Sequence, residues 1–435
     1  MAIADLRPVR AGQQEPGSGR DTGIDLVRAL CVVGVVVVHG MMVGVTMTDS
    51  GPLFANASEG SSWIVPFSWV MQVMPLFFVI GGFAGYTAFA RMRARGGTSK
   101  DFVAARIHRL LLPAVVTIGL VGVGLATLTL HGVPGEFVEI AGYRFGQPLW
   151  FLGVFLLCQA LLPVLVAAHE RAPWITIGLL TAASAAVDAA RISSGIELIG
   201  FLNLAFVWLA LQQVGFFLAD GRIGSLSQRA RTVIAIAAVV ALVLSFVSGV
   251  HSPDLIANIN PPTTALLLVG VAHTMLMSLL REPLNRWSRT RIGTGLREFV
   301  TPKAMTIYLW HMPVLLAMAG VSAIFAVTTG IALPEPNSIE WFQTRPLWLL
   351  TAFALVAAVA WPLAQIEARR APIPTGSAAR LAAATTIGVS AVIGLLVLGA
   401  TPLTTTLAVL AVIVSLRLAR SPRERSAAPL ALARA

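Results

Sequence analysis

Three side chains stand out in the stretch from residue 25 to residue 39: Asp25, Arg28 and His39. An ionisable group at lipid depth costs roughly 3 kcal/mol or more, so each is a candidate for function. At 100° per residue, the eleven steps from Arg28 to His39 return to the same helix face, about 16 Å further along the axis. Asp25 lies one turn before Arg28, within pairing range at i, i+3. One stripe of one helix therefore carries an acid–base pair at its rim and, beyond mid-membrane, an imidazole that can gain and lose a proton near neutral pH. The rim pair also reads as a snorkelling pair that sets topology. His39 follows ten apolar residues and has no such simple reading.

Other groups fall into weaker sets. Tyr308 and His311 share a face at i, i+3, where they can hydrogen-bond, face one cavity, or simply pack. Arg91, Arg93, Arg95, Lys100, Arg106 and Arg109 crowd one polar segment, and Arg281 to Lys303 bounds another. Guanidinium forks grip phosphate bidentately. Topology signalling and anionic headgroups explain most of these charges, but not the compact Arg106-x-x-Arg109 beside Pro113. Asp188 is open to three readings: orienting His39, lining a substrate pocket, or pairing with Arg191. Trp150 either contacts a substrate or belongs to an interfacial aromatic belt. His108 reads as part of a cationic patch, His131, His169 and His251 as solvated span ends, and His273 as a weak mid-span candidate. No histidine pair has metal-ligand spacing, so no metal site is expected. Cys31 and Cys158 lie in apolar blocks, which argues against a disulfide.

The elements that must position these groups follow from composition. The chain has 435 residues, 56% hydrophobic and 12% charged, with a mean hydropathy of +0.80. Soluble domains carry about 25% charged residues, so a cytosolic enzyme, a secreted disulfide scaffold and a disordered chain are excluded. The apolar residues form blocks of about 20, the length that crosses a bilayer core. They occupy residues 24–46, 66–90, 110–131, 149–168, 174–190, 200–220, 232–250, 262–280, 304–328, 346–366, 381–399 and 403–418. The expected fold is all-α, a polytopic integral membrane bundle of about 12 transmembrane helices.

Net charge is +11, from 31 basic and 20 acidic residues. This basicity is confined to short segments between spans, which records orientation rather than nucleic-acid binding. With the N-terminus placed in the cytoplasm, the inward segments plus Arg28 and Arg417 hold 28 of the 31 basic residues, leaving Arg144, Arg191 and Arg345 outside. Both termini are therefore expected in the cytoplasm. Residues 1–20 read as a disordered cytoplasmic tail, 21–366 as the membrane domain, 367–420 as a C-terminal helix pair and 421–435 as a second cytoplasmic tail. The outer loops 47–62, 132–148 and 329–345 are the expected roof of a cavity.

Asp25-x-x-Arg28-x10-His39 resembles the signature of the acyltransferase family 3 membrane proteins. Further similarities follow in order: Pro75 to Phe83, Arg106-x-x-Arg109 with Pro113, Pro148-Leu149-Trp150-Phe151-Leu152, and Ile307-Tyr308-Leu309-Trp310-His311. Together they cover roughly residues 20–366, a ten-helix acyltransferase core. Two features depart from the family. Gly81-Gly82-Phe83 stands where Ser-Gly-Phe is common, and the pair at 381–418 lies beyond the usual core, so no chemistry is assigned to it.

The resemblance implies an O-acyltransferase of the plasma membrane. It would move an acyl group, most often acetyl, from cytoplasmic acyl-CoA to a hydroxyl of an extracytoplasmic glycan, glycolipid or glycosylated small molecule. Arg28, Arg106 and Arg109 would hold the nucleotide phosphates of acyl-CoA. His39 would act as general base or as an acyl relay, with Asp25, Tyr308 and His311 as the other candidate catalytic groups. Trp150 and Asp188 would line the acceptor side. No permanently bound cofactor is expected, and membrane lipid is the remaining partner. A proton-coupled multi-span transporter is the alternative from another class; the lack of a repeat between the two halves and the scarcity of membrane acids weigh against it.

Overall fold

The computed structural model describes residues 21–49, 51–369 and 371–421. The tails expected at 1–20 and 421–435 lie outside the described residues, except Ser421.

Helix α1 (Thr22–Met42) leads into a hairpin of β1 (Val43–Thr48) and β2 (Gly51–Asn56), followed by α2 (Ile64–Met71), α3 (Met74–Ala94) and α4 (Ser99–Leu130). Then come α5 (Gly135–Gly146), α6 (Trp150–Arg171), α7 (Pro173–Ser194), α8 (Asn203–Ala219) and a single turn, α9 (Arg222–Ser225). The chain continues through α10 (Gln228–Val247), α11 (Ala265–Leu279), α12 (Arg281–Ser288), α13 (Arg291–Val300) and α14 (Ala304–Thr329). It closes with α15 (Ile339–Glu367), α16 (Ala378–Leu398) and α17 (Pro402–Leu418). Among the described residues, ten helical segments are long and apolar enough to cross a membrane, and α11 with α12 makes an eleventh that is bent by 69°. The shorter apolar α17 accounts for the last of the twelve blocks. The protein is a polytopic helical membrane bundle.

Two ends of the bundle differ. At the arginine end, α1 begins on Asp21, whose carboxylate accepts from the Ile24 amide at 3.1 Å and pairs with Arg281 at 2.8 Å. There α4 begins on a capping box in which Thr98 and Asp101 satisfy each other's backbone amides, which fixes the first turn. At the other end lies a hairpin that the apolar pattern hides. The first block was expected to run to residue 46, but α1 stops at Met42 because β-branched Val43, Val45, Thr46 and Thr48 favour an extended strand. Val43 pairs with Asn56 and Thr48 with Gly51, whose φ of 118° needs glycine.

Arg345, expected in an outer loop, is instead a buried residue of α15. Its guanidinium stacks between Trp341 and Trp348, 4.3 and 4.7 Å from the ring centroids. It donates to the Val43 carbonyl at 3.2 Å and the Gly40 carbonyl at 3.5 Å. Those carbonyls at the end of α1 would otherwise lack donors.

The C-terminal pair is no appendage. Leu111 and Ile118 of α4, Leu152 and Leu156 of α6, Val392 of α16 and Val412 of α17 share the largest apolar core. Where α5 meets the turn between α16 and α17, a side chain on Gly142 would run into the Ala400 carbonyl. The same close approach recurs at α3 and α8, where a Cβ on Gly82 would strike the Gln212 carbonyl. Outward-facing side chains such as Leu130 and Val247 are apolar and exposed, as a lipid-facing surface requires.

Candidate active site

A cavity of about 700 Å³ runs through the bundle from the arginine end to the hairpin end. Arg28 of α1 with Arg106 and Arg109 of α4 line one end, and His39, Tyr308 and Trp150 line it further along. Seven of the nine residues singled out from the sequence touch or adjoin this space; Asp25 and Asp188 do not line it.

At the arginine end, the Arg106 guanidinium lies 4.8 Å over the Phe102 ring. Arg106 and Arg109 sit one turn apart, so both forks point to one side of α4. Arg28 faces them from α1, braced by Asp25 at 3.5 Å. Asp25 was placed among the catalytic groups, and helix geometry corrects that. Fourteen residues separate it from His39, about 21 Å of rise, so it braces Arg28 and lies far from the imidazole. Glu367, at the end of α15, also lines this end and was missed. Its carboxylate accepts from the Thr306 amide and hydroxyl at 3.2 and 2.9 Å. In sequence it looks like one more charge closing a span, since nothing local says that α15 ends beside α4.

At the other end, His39 Nδ1 lies 2.9 Å from the Val35 carbonyl. A carbonyl only accepts, so Nδ1 carries the hydrogen and Nε2 keeps a lone pair. No described residue hydrogen-bonds to that Nε2. Beside it, His311 is fully buried with its ring centroid 4.8 Å from that of His39, edge to face. His311 Nδ1 bonds to the Tyr308 carbonyl, and its Nε2 is a buried atom with no hydrogen-bond partner. Two imidazoles in one tautomer, each with a free ring nitrogen, thus meet at the cavity. Their proximity joins α1 to α14, which sequence spacing cannot show.

Tyr308 lines the cavity, but its hydroxyl donates to the Pro148 carbonyl at 2.6 Å. That proton is already committed, and the bond ties α14 to the start of α6. Trp150 stacks on Trp208 at 5.2 Å and presents an aromatic wall next to Phe151. Gly81 faces the same space, where a Cβ would approach Phe155 Cε2 to 2.9 Å. The hydroxyl missing from this position is thus replaced by an aromatic edge.

Asp188 is corrected outright. It is buried away from the cavity and accepts from Asn203 Nδ2 at 2.9 Å and from the Thr264 amide and hydroxyl at 2.7 and 2.8 Å. Arg191 pairs with Glu197 instead. Asp188 fastens the segment 251–264 to α7, with His251 Nε2 at 3.4 Å. His251 is therefore a buried participant, not a solvated span end. His169 is likewise buried, between Gln213 and Asp220, and His108 is buried on α4 rather than exposed in a patch.

The roof differs in part from expectation. Asn56 comes from loop 47–62 and Tyr143 and Gln147 from 132–148, whereas 329–345 supplies no lining residue. Leu198, Phe201, Ile256 and Asn260, from two connections not singled out, take its place. Ile393, Leu396 and Val397 of α16 complete the wall.

A family model described as an acyltransferase domain matches residues 21–365. No curated protein and no solved structure matches the chain.

Proposed function

Because this chain belongs to acyltransferase family 3 and is a membrane acyltransferase, we propose that it carries an acyl group from cytoplasmic acyl-CoA to a hydroxyl presented at the hairpin end. The transporter alternative is dropped on the family membership. The observation that carries the reading is the single cavity with guanidinium forks at one end and an unclaimed imidazole nitrogen at the other. Arg28, Arg106 and Arg109 pair with the phosphates of the donor. The pantetheine arm lies along α1, bringing the thioester to His39 about 16 Å away.

His39 Nε2 accepts the proton of the acceptor hydroxyl as its oxygen attacks the thioester carbonyl. The tetrahedral intermediate collapses, the C–S bond breaks, and the imidazolium returns the proton to the departing thiolate. An ester and free CoA thiol result, with atoms and charge balanced. The Val35 carbonyl holds the tautomer this step needs. His311 adjoins that ring and helps to fix its orientation. The acceptor class favoured by the family resemblance is a carbohydrate or a glycosylated molecule, and acetyl is the favoured acyl group.

The test is direct. Purified protein in lipid discs, given labelled acetyl-CoA and a hydroxyl acceptor, is expected to release CoA thiol and form labelled ester. Absence of both with every acyl-CoA tried would refute the donor assignment.

A further inference from the structure

The hairpin end of the cavity is open to one side. Leu198 and Val397 both line the cavity, yet they are 76% and 72% exposed. A lining residue that is three-quarters exposed marks a mouth. These two come from different elements: Leu198 from the 3-10 turn Glu197–Leu202 ahead of α8, and Val397 from the last turn of α16. Exposed apolar neighbours continue on both sides, Ile196 and Leu202 beside one and Leu398 beside the other. Val397 ends a 21-residue apolar helix, which places it at the edge of the hydrocarbon layer. Polar groups line the same cavity: Asn56 and Gln147, both partly buried, and the half-exposed Tyr143.

We propose that α16 and the Glu197–Leu202 turn frame a lateral port to the lipid, and that the acceptor is an amphiphile: a hydroxyl-bearing polar head on an apolar body. The head enters past Gln147 and Asn56 toward His39, while the body stays between Leu198 and Val397. This rests on the acyl-transfer reading and narrows its acceptor. It also gives a role in acceptor choice to a helix outside the family-matched residues 21–365.

The experiment uses the full protein in lipid discs with acetyl-CoA and methyl, butyl or hexyl β-glucoside as acceptor. Each methylene that enters the port is expected to raise kcat/KM about threefold to fourfold, so hexyl should exceed butyl by roughly tenfold. In a Leu198→Asp, Val397→Asp double variant the hexyl-to-butyl ratio should fall below about twofold. Both side chains are exposed, and a Leu198→Ser, Val397→Ser variant repeats the comparison without added charge. Ester formation that is equal for all three glucosides, absent with all of them, or equally chain-dependent in both double variants overturns the port. CoA release in such a case leaves the acyltransferase reading standing. Absence of any CoA release removes both.

Discussion

His39 and His169 are both histidines of apolar helices held inside the bundle, but they are bonded in opposite ways. At His169, Gln213 Nε2 donates to Nδ1 at 2.6 Å and Nε2 donates to Asp220 at 2.9 Å, so both ring nitrogens are taken. At His39 one nitrogen is tied to Val35 and the other is left facing a cavity. A fully bonded imidazole contributes to the fold, because removing it strands two buried partners. A half-bonded one beside open space is positioned to exchange a proton with something that enters. Hydrogen-bond saturation separates the two where residue type does not.

The contrast breaks most sharply under paired substitution. His39→Gln should lower acyl transfer about a thousandfold, the scale of a lost general base. His169→Gln should keep kcat within about twofold while lowering the melting temperature, at a cost of about 1–3 kcal/mol. Labelled-ester formation and thermal melts of the two variants check this, and equal losses of activity would remove the distinction. Next in size are the arginines. Arg106→Ala and Arg109→Ala should each raise the KM for acetyl-CoA about tenfold with kcat little changed, since a charge-assisted bond contributes about 1.5–3 kcal/mol. Unaltered KM in both would refute phosphate pairing. Arg345→Met removes the donor that closes α1 just beyond His39, and should reduce kcat roughly threefold to tenfold without moving the KM for acetyl-CoA. The smallest effect belongs to Asp25→Asn, an isosteric change that weakens one 3.5 Å contact to Arg28; a net bond of about 0.5 kcal/mol gives a twofold to threefold rise in that KM.

Much of this architecture was legible in the chain. Each of the twelve apolar blocks holds a helix, although the first gives way to strand after Met42, because membrane depth forces length and internal hydrogen bonding together. The Arg28–His39 stripe needed only the helical period. What failed was what depends on meeting at a distance. Asp188 has its partners at 203, 251 and 264, and His169 has its own at 213 and 220, so neither environment is written near the residue itself. Spacing leaves His311 open between packing and facing a cavity; its place beside His39 depends on α14 meeting α1, which no local pattern shows. The β-branched run after Met42 did carry a strand signal, but it lay buried in a longer apolar block. Arg345 misled because a charge near a span end reads as a loop, whereas two tryptophans draw it into the bundle.

α1 runs from Thr22 to Met42 with no proline and no break, and it carries both Arg28 and His39. The interval between them is therefore a gauge that neither loop motion nor helix hinging can reset. Any slack must come from the molecule being measured, so a thioester on a much shorter or longer tether would seat its phosphates or its carbonyl, but not both. Inserting one residue between them would swing the imidazole by about 100° out of line, while inserting a full turn would preserve the alignment and demand a tether about 5 Å longer.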